Sequence, residues 1–198
     1  MARRGLDAAA VVAAAARVAD IEGLAAVTVA RVAAEVGVRG PSIYNHVPGR
    51  DGLLRGIALD AVGRLTERLR AAAVGRSGPE ALHAAAAAYR AYAREHPGRY
   101  DAIQRATAQD DPELAAVAGE AVEVLTDILR GWRLEGEEAI HAVRALRSAL
   151  HGFVDLERIG GFGLPASLDV SYARLVEALA AGLDAGAARG QASTTSTA

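Results

Sequence analysis

The sequence contains no cysteine, which excludes disulfides, thiol nucleophiles and cysteine-based metal sites and fits a reducing compartment. Lysine is missing too, and all 22 basic residues are arginine, a bias to which we attach no functional weight. Aromatic residues make up only 4% of the chain. Alternating β-branched runs are lacking, so there is little from which to build a sheet. No segment is long and apolar enough to cross a bilayer. A weakly apolar run at residues 8–16 follows two arginines. It is bounded by Asp7 and Arg17 and precedes a good helix end rather than a cleavage-like site, so it reads as a first helix and not a signal peptide. The expected location is the cytoplasm, with no membrane partner.

What is present is alanine. Hydrophobic residues reach 52% of the 198 positions, and much of this is alanine, the best helix former and one that buries little surface. The fold class is therefore expected to be all-α, as one compact domain or a small module fused to a larger one. The net charge of −2 does not announce a nucleic-acid binder. Its distribution says more: residues 1–56 hold seven arginines against five acids, a balance of +2, leaving −4 for the rest.

Capping residues and helical spacing divide the chain. Asp7 caps a helix ending at Gly23, with Leu6, Ala10, Ala14, Val18 and Ile21 near one face. Thr28 caps a second, in which Val29, Val32, Ala33 and Val36 recur at helical spacing. Gly37 stands where a helix ends in positive φ. Gly40 and Pro41 suit the cap and first position of a short third helix, broken by Pro48 and Gly49. Further helices are expected over about 51–74, 80–95, 97–106, 112–132, 136–159 (with Ile140, Val143, Leu146, Leu150, Phe153 and Val154 at helical spacing) and 169–183. The final GQASTTSTA lacks an apolar pattern and is expected to be disordered. Domain boundaries are expected at 1–50, 51–190 and a tail at 191–198.

The stretch VARVAAEVGVRGPSIYNHVPGRDGLL, residues 29–54, carries the chemistry. Two helices joined by a glycine turn form a helix-turn-helix, which needs a small residue at the crossing (Ala33), a turn glycine (Gly37) and apolar residues holding the angle (Val32, Val36, Val38, Ile43). With Ile43 inward, Ser42, Tyr44, Asn45 and His46 are left outside, as major-groove reading requires. Arg39 suits a guanine edge or a phosphate, and Asn45 has the donor–acceptor pair for adenine. Pro41 offers an apolar surface to a thymine methyl, Gly40 allows close backbone approach, and Ser42 reaches a base or a phosphate. Thr28, Tyr44, His46 and Arg50 suit phosphates, which set register rather than sequence preference. Arg3 and Arg4 can form a basic arm, or simply a solvated terminus.

TVARVAAEVGVRGPSIYNHVPGRDGLL resembles the DNA-binding signature of the TetR family of transcriptional regulators, in its Gly-Val, Ile-Tyr, His and Arg-Asp-x-Leu-Leu elements. The resemblance covers about residues 6–56. It implies a three-helix DNA-binding domain, a linking fourth helix, and a helical ligand-binding and dimerisation bundle. The implied function is repression at a near-palindromic double-stranded operator by a homodimer, relieved by a small-molecule effector of unknown identity. The sequence departs from the common pattern at Arg39, where many members have Ser or Thr, and at Val47, often Phe. Arg39 makes any inherited operator preference unsafe. The stretch LRSALHGFVDLERIGGFGLP resembles a His-Gly subgroup of the family, placing His151 and Gly152 in the dimerisation half. The expected dimer seam comprises Leu150, His151, Gly152, Tyr172, Val176 and Leu179.

In an alanine-rich bundle the few aromatics either fill the core or line a pocket, and Tyr89, Tyr92, Gln104 and Trp132 are the ligand-binding candidates. Glu138-x-x-His141 has the spacing of a di-metal bundle, but no second copy or further inward carboxylates accompany it. His151 and Asp155 read as a helix-surface pair. No catalytic constellation, phosphate loop, metal or cofactor is expected. The competing class is a helical protein binding a small molecule or metal with no DNA role, and a third is a protein-interaction module.

Overall fold

The structure, a computed structural model, describes residues 6–195, with side chains through residue 186. The proposed arm at Arg3 and Arg4 lies outside the described residues. The helices are α1 (Ala8–Glu22), α2 (Val29–Val36), α3 (Gly40–Tyr44), α4 (Gly49–Ala73), α5 (Gly78–Glu95), α6 (Pro97–Arg105), α7 (Pro112–Leu129), α8 (Gly136–Arg158) and α9 (Leu168–Thr195). Short 3-10 turns occur at Leu24–Ala26 and Arg130–Trp132. There is no strand among the described residues, and the all-α expectation holds.

Packing divides the chain into two compact units: Met1–Leu65 with Tyr92–Gly119, and Thr66–Ala91 with Glu120–Ala198. These are not the divisions at residues 50 and 190 drawn from the sequence. In the first unit, α1 is capped by Asp7, whose Oδ1 accepts from the Ala10 amide at 2.7 Å. Val11, Ala14, Ala15 and Val18 are buried. Ile21, expected on this face, is 80% exposed; the helix stops at Gly23 and Leu24 of the following turn takes the inward place.

α6 lies against α1 at backbone distance. A Cβ built on Gly98 would stand 2.1 Å from the Ala19 carbonyl, so this glycine is required by the crossing. Polar groups fasten the crossing. Asp20 Oδ1 accepts from the Arg99 amide at 2.9 Å, and its other oxygen takes the Arg99 guanidinium. His96 Nδ1 lies 3.4 Å from the same carboxylate. Tyr92 donates its hydroxyl to the Ala61 carbonyl at 3.1 Å, and burial pushes that hydroxyl up to about 12.

The second unit is built around Arg90, only 8% exposed. Its guanidinium donates to both Glu157 oxygens at 2.8 and 2.6 Å and meets Asp169 at 2.8 Å. It also stands over the Tyr172 ring at 4.9 Å. Two planar charges matched in this way satisfy the buried fork. Tyr172 donates to the Ala86 carbonyl at 2.8 Å; burial raises its hydroxyl pKa. Ile140, expected to point inward, is 49% exposed, because the buried stripe of α8 runs through Ala139, Val143, Leu146, Leu150 and Val154. α9 continues through residues 191–195, where disorder was expected from the polar composition; residues 196–198 of that tail lie outside the described residues.

The close crossing gives a test. Gly98→Ala should destabilise the protein by about 1–3 kcal/mol or more, as overpacking against a backbone does. Gly63→Ala, where a Cβ meets nothing within 4 Å, should be neutral or stabilising by up to about 1 kcal/mol. Urea unfolding midpoints compare the two, and equal midpoints would remove the required close approach.

Candidate nucleic-acid interface

The local chemistry of residues 28–50 follows from their caps. Thr28 Oγ1 accepts from the Arg31 amide at 3.1 Å and opens α2. Gly37 closes it in the left-handed region, φ 71° and ψ 34°. The Val38 amide then donates back to the Ala33 carbonyl at 2.9 Å, the six-to-one closure that turns the chain. Arg39, rather than Gly40, occupies the cap position of α3, with Pro41 in its first turn. Ile43 is fully buried beside Val32 and Ala33 in the core.

The anchoring of Ile43 decides what faces out. Arg39, Pro41, Tyr44 and Asn45 are exposed, whereas Gly40, Ser42 and His46 are half-buried. Tyr44 is 62% exposed, and its Cε1 would lie 3.7 Å from a Cβ at Gly49. Gly40 has open space around its missing Cβ, so no packing inside the chain requires it to be glycine.

The arginines of this region differ in how they are used. Arg17 Nε lies 3.5 Å from Glu35. Arg31 bonds Glu22 at 2.7 Å and Glu35 at 3.0 Å. Arg55 grips Asp111 at 2.5 and 2.8 Å and Glu113 at 2.7 Å. Arg50, assigned from the sequence to a phosphate, donates to the carbonyls of Val27 at 2.9 Å and Leu24 at 3.2 Å. A side chain of this length at the start of α4 reaches the turn before α2, a tertiary contact that no local pattern reveals. Among these described arginines Arg39 alone has no hydrogen bond or ion pair within the chain.

The other predicted sites fare differently. Tyr92 and Gln104 belong to the first unit and Tyr89 and Trp132 to the second, so neither unit holds all four ligand candidates. The Trp132 indole donates to Asp184 at 2.6 Å. Leu150, Tyr172 and Val176, expected at a dimer seam, are 6%, 5% and 2% exposed within one protomer; they face its own helices because they lie on the inner stripes of α8 and α9. His151, Gly152 and Leu179 are half-buried. His141 stands 3.8 Å from Glu137, not Glu138. Among the described residues no three His, Asp or Glu side chains gather as a metal site, and no helix is long and apolar enough to cross a membrane.

A glycine-turned helix pair that anchors one isoleucine and exposes Arg, Pro, Tyr and Asn is a helix-turn-helix DNA-binding unit. Comparison with known proteins agrees. The family described as "Bacterial regulatory proteins, tetR family" matches residues 11–57, and "Tetracyclin repressor-like, C-terminal domain" matches residues 82–179. The His-Gly subgroup is a finer assignment than this second match carries. The uncharacterized HTH-type transcriptional regulator Rv0681 of Mycobacterium tuberculosis is 36% identical over 166 residues, covering 83% of this chain and 76% of that protein. The HTH-type transcriptional repressor DrrR1 of Streptomyces coeruleorubidus is 35% identical over 134 residues, 67% of this chain and 47% of that protein. A TetR variant from Acinetobacter baumannii AYE, solved in complex with minocycline, superposes with a TM-score of 0.68 at 21% identity, covering 91% of this chain and 97% of that one. The chain belongs to the TetR family of transcriptional regulators, which bind DNA and are not enzymes.

The Arg55 clamp predicts a pH dependence. The Arg55 guanidinium, with help from the Leu114 amide, holds the Asp111 carboxyl down at about 2. That lies below the unfolded value of about 3.9, so the contribution is fully present above pH 4 and is lost as pH falls towards 2. The stability difference between wild type and Asp111→Asn should therefore shrink over that window. A difference that stays constant down to pH 2 would show that the clamp contributes nothing.

Proposed function

We propose that the protein is a cytoplasmic repressor that binds a near-palindromic operator as a homodimer and leaves it when a small molecule binds. The observation that carries the DNA part is the exposed, uncommitted Arg39 at the start of α3, beside exposed Pro41 and Asn45. Arg39 reads guanine or holds a phosphate, Asn45 reads adenine, Pro41 meets a thymine methyl and Gly40 lets the backbone approach. Ser42, Tyr44, His46 and Thr28 fix the register on the sugar–phosphate backbone.

The homodimer reading draws on α8 and α9. A Cβ on Gly152 would meet nothing within 4 Å, although a glycine inside a helix costs roughly 1 kcal/mol relative to alanine. Ala145 and Ser148 of α8 are exposed on nearby turns, as are Ala178 and Ala181 of α9, and the larger Leu156 and Ile159, the latter just past the end of α8, are exposed further along. A close helix crossing with a second copy accounts for this small-residue strip, and a two-fold dimer would present two α3 helices to successive major grooves. Release requires a ligand that favours the DNA-incompetent form, since equal affinity shifts nothing. The minocycline complex of the Acinetobacter protein supports a small-molecule effector. Tyr89, Tyr92, Gln104 and Trp132 are the candidate contacts, and α4, shared by the two units, is the element such a ligand would act on.

Two experiments test this reading. Selection of bound duplexes from a random pool at near-physiological salt should recover a near-palindrome. Arg39→Ala should then either relax one position per half-site, as a base contact does, or weaken all duplexes alike, as a phosphate contact does. Recovery of no sequence above background would sink the operator proposal. Gly152→Arg should run as a monomer in light scattering while keeping its helical circular dichroism; an unchanged dimer would remove this face from the seam.

A further inference from the structure

We propose that Arg50 is a positioning residue of the DNA-binding unit: it sets the pose of α3 through the carbonyls of Leu24 and Val27 and does not hold a phosphate. The proposal rests on the DNA-binding reading above and identifies what keeps that unit in shape. Residues 28–49 form the helix-turn-helix with its following turn. Its entrance is Thr28, directly after the 3-10 turn in which the Val27 amide donates to the Leu24 carbonyl at 3.3 Å. Its exit is Gly49, at φ 71°, where α4 begins. Arg50 is the next residue, and its guanidinium spans from exit to entrance: Nε to Val27 O at 2.9 Å and Nη2 to Leu24 O at 3.2 Å. The segment carrying Arg39, Pro41 and Asn45 is thus closed at both ends by one side chain.

The two ends also share the core, where Leu24, Val27, Val47 and Leu53 are buried in one cluster, and Arg50 adds the polar tie between them. α3 is anchored in the core by Ile43, and Val47 follows it inside. Between them Tyr44 and Asn45 are in solvent. A planar fork with donors in fixed relation suits two carbonyls a short distance apart, whereas an ammonium is a single point donor on a flexible stem. The same guanidinium cannot serve both carbonyls and a phosphate with those two N–H groups. Two of its five N–H donors are therefore committed to the unit's own backbone.

Arg50→Lys and Arg50→Ala separate this role from a phosphate contact. Operator affinity is measured against salt for the full-length protein, and amide hydrogen exchange is followed in the free protein. A positioning role predicts that Lys behaves like Ala. Both should weaken binding on the order of tenfold, the loss expected for charged-donor hydrogen bonds, with the salt slope of wild type. Both should also speed exchange in α2 and α3. A phosphate role predicts that Lys keeps wild-type affinity while Ala flattens the slope by about 1.8 per dimer, one contact per protomer. That result, or unchanged α2 and α3 protection in both variants, overturns the proposal. If the wild-type protein retains no duplex, the operator reading fails on its own, and the exchange measurement still decides whether Arg50 holds the segment.

Discussion

The first unit depends on a backbone-to-backbone approach between α1 and α6 at Ala19 and Gly98. Alanine-rich helices have little apolar surface to bury, so they compensate by coming closer. Ala14, Ala15, Ala16 and Ala19 are all buried on α1, and a glycine on α6 lets the second backbone settle into that shallow face. Close approach leaves few long side chains to fix the register of the crossing. The Asp20 carboxylate does so instead, accepting from both the amide and the guanidinium of Arg99. This ion pair is largely shielded from water, where matched hydrogen bonds are necessary for it to be tolerated.

The same economy governs the charges. With arginine as its only long cation, the chain uses the guanidinium fork to hold structure: Arg90 on Glu157 in the second unit, Arg99 on Asp20 and Arg55 on Asp111 in the first. Against this background an arginine left free is informative. Arg39 stands at the cap position of α3, where its side chain carries no intramolecular duty and its charge is available to a polyanion. The count of basic N-terminal residues overstates the charge that DNA would meet, because Arg17, Arg31 and Arg55 are each paired with carboxylates within the protomer.

Much of this architecture is legible in the sequence because it is local. The Thr28 cap, the αL glycine at position 37, the proline in the first turn of α3 and the inward Ile43 are each set by neighbours within a few residues. The contacts that fail to show in the sequence are those between residues far apart: Arg50 with residues 24 and 27, Arg90 with Glu157, Gly98 with Ala19. Helical periodicity also cannot say what covers an apolar stripe. Leu150, Tyr172 and Val176 repeat as an interface would, yet their own protomer buries them, while the exposed Ala145 and Ser148 before Gly152 and Ala178 and Ala181 of α9 are too small to stand out in a hydropathy pattern. Ile21 and Ile140 show the reverse error, apolar residues at plausible spacing that face solvent.

The first unit is discontinuous in sequence: it closes with Tyr92–Gly119, well after the chain has left it at Leu65. Two of its fastenings are made to this returning segment, Asp20 to Arg99 and Arg55 to Asp111. A DNA-reading head of this kind is not a cassette. Recombination that joined residues 1–65 to an unrelated sensor would carry away the reading surface and leave a carboxylate and a guanidinium without the partners that shaped them. Any exchange that keeps the first unit whole must carry residues 92–119 along with residues 1–65.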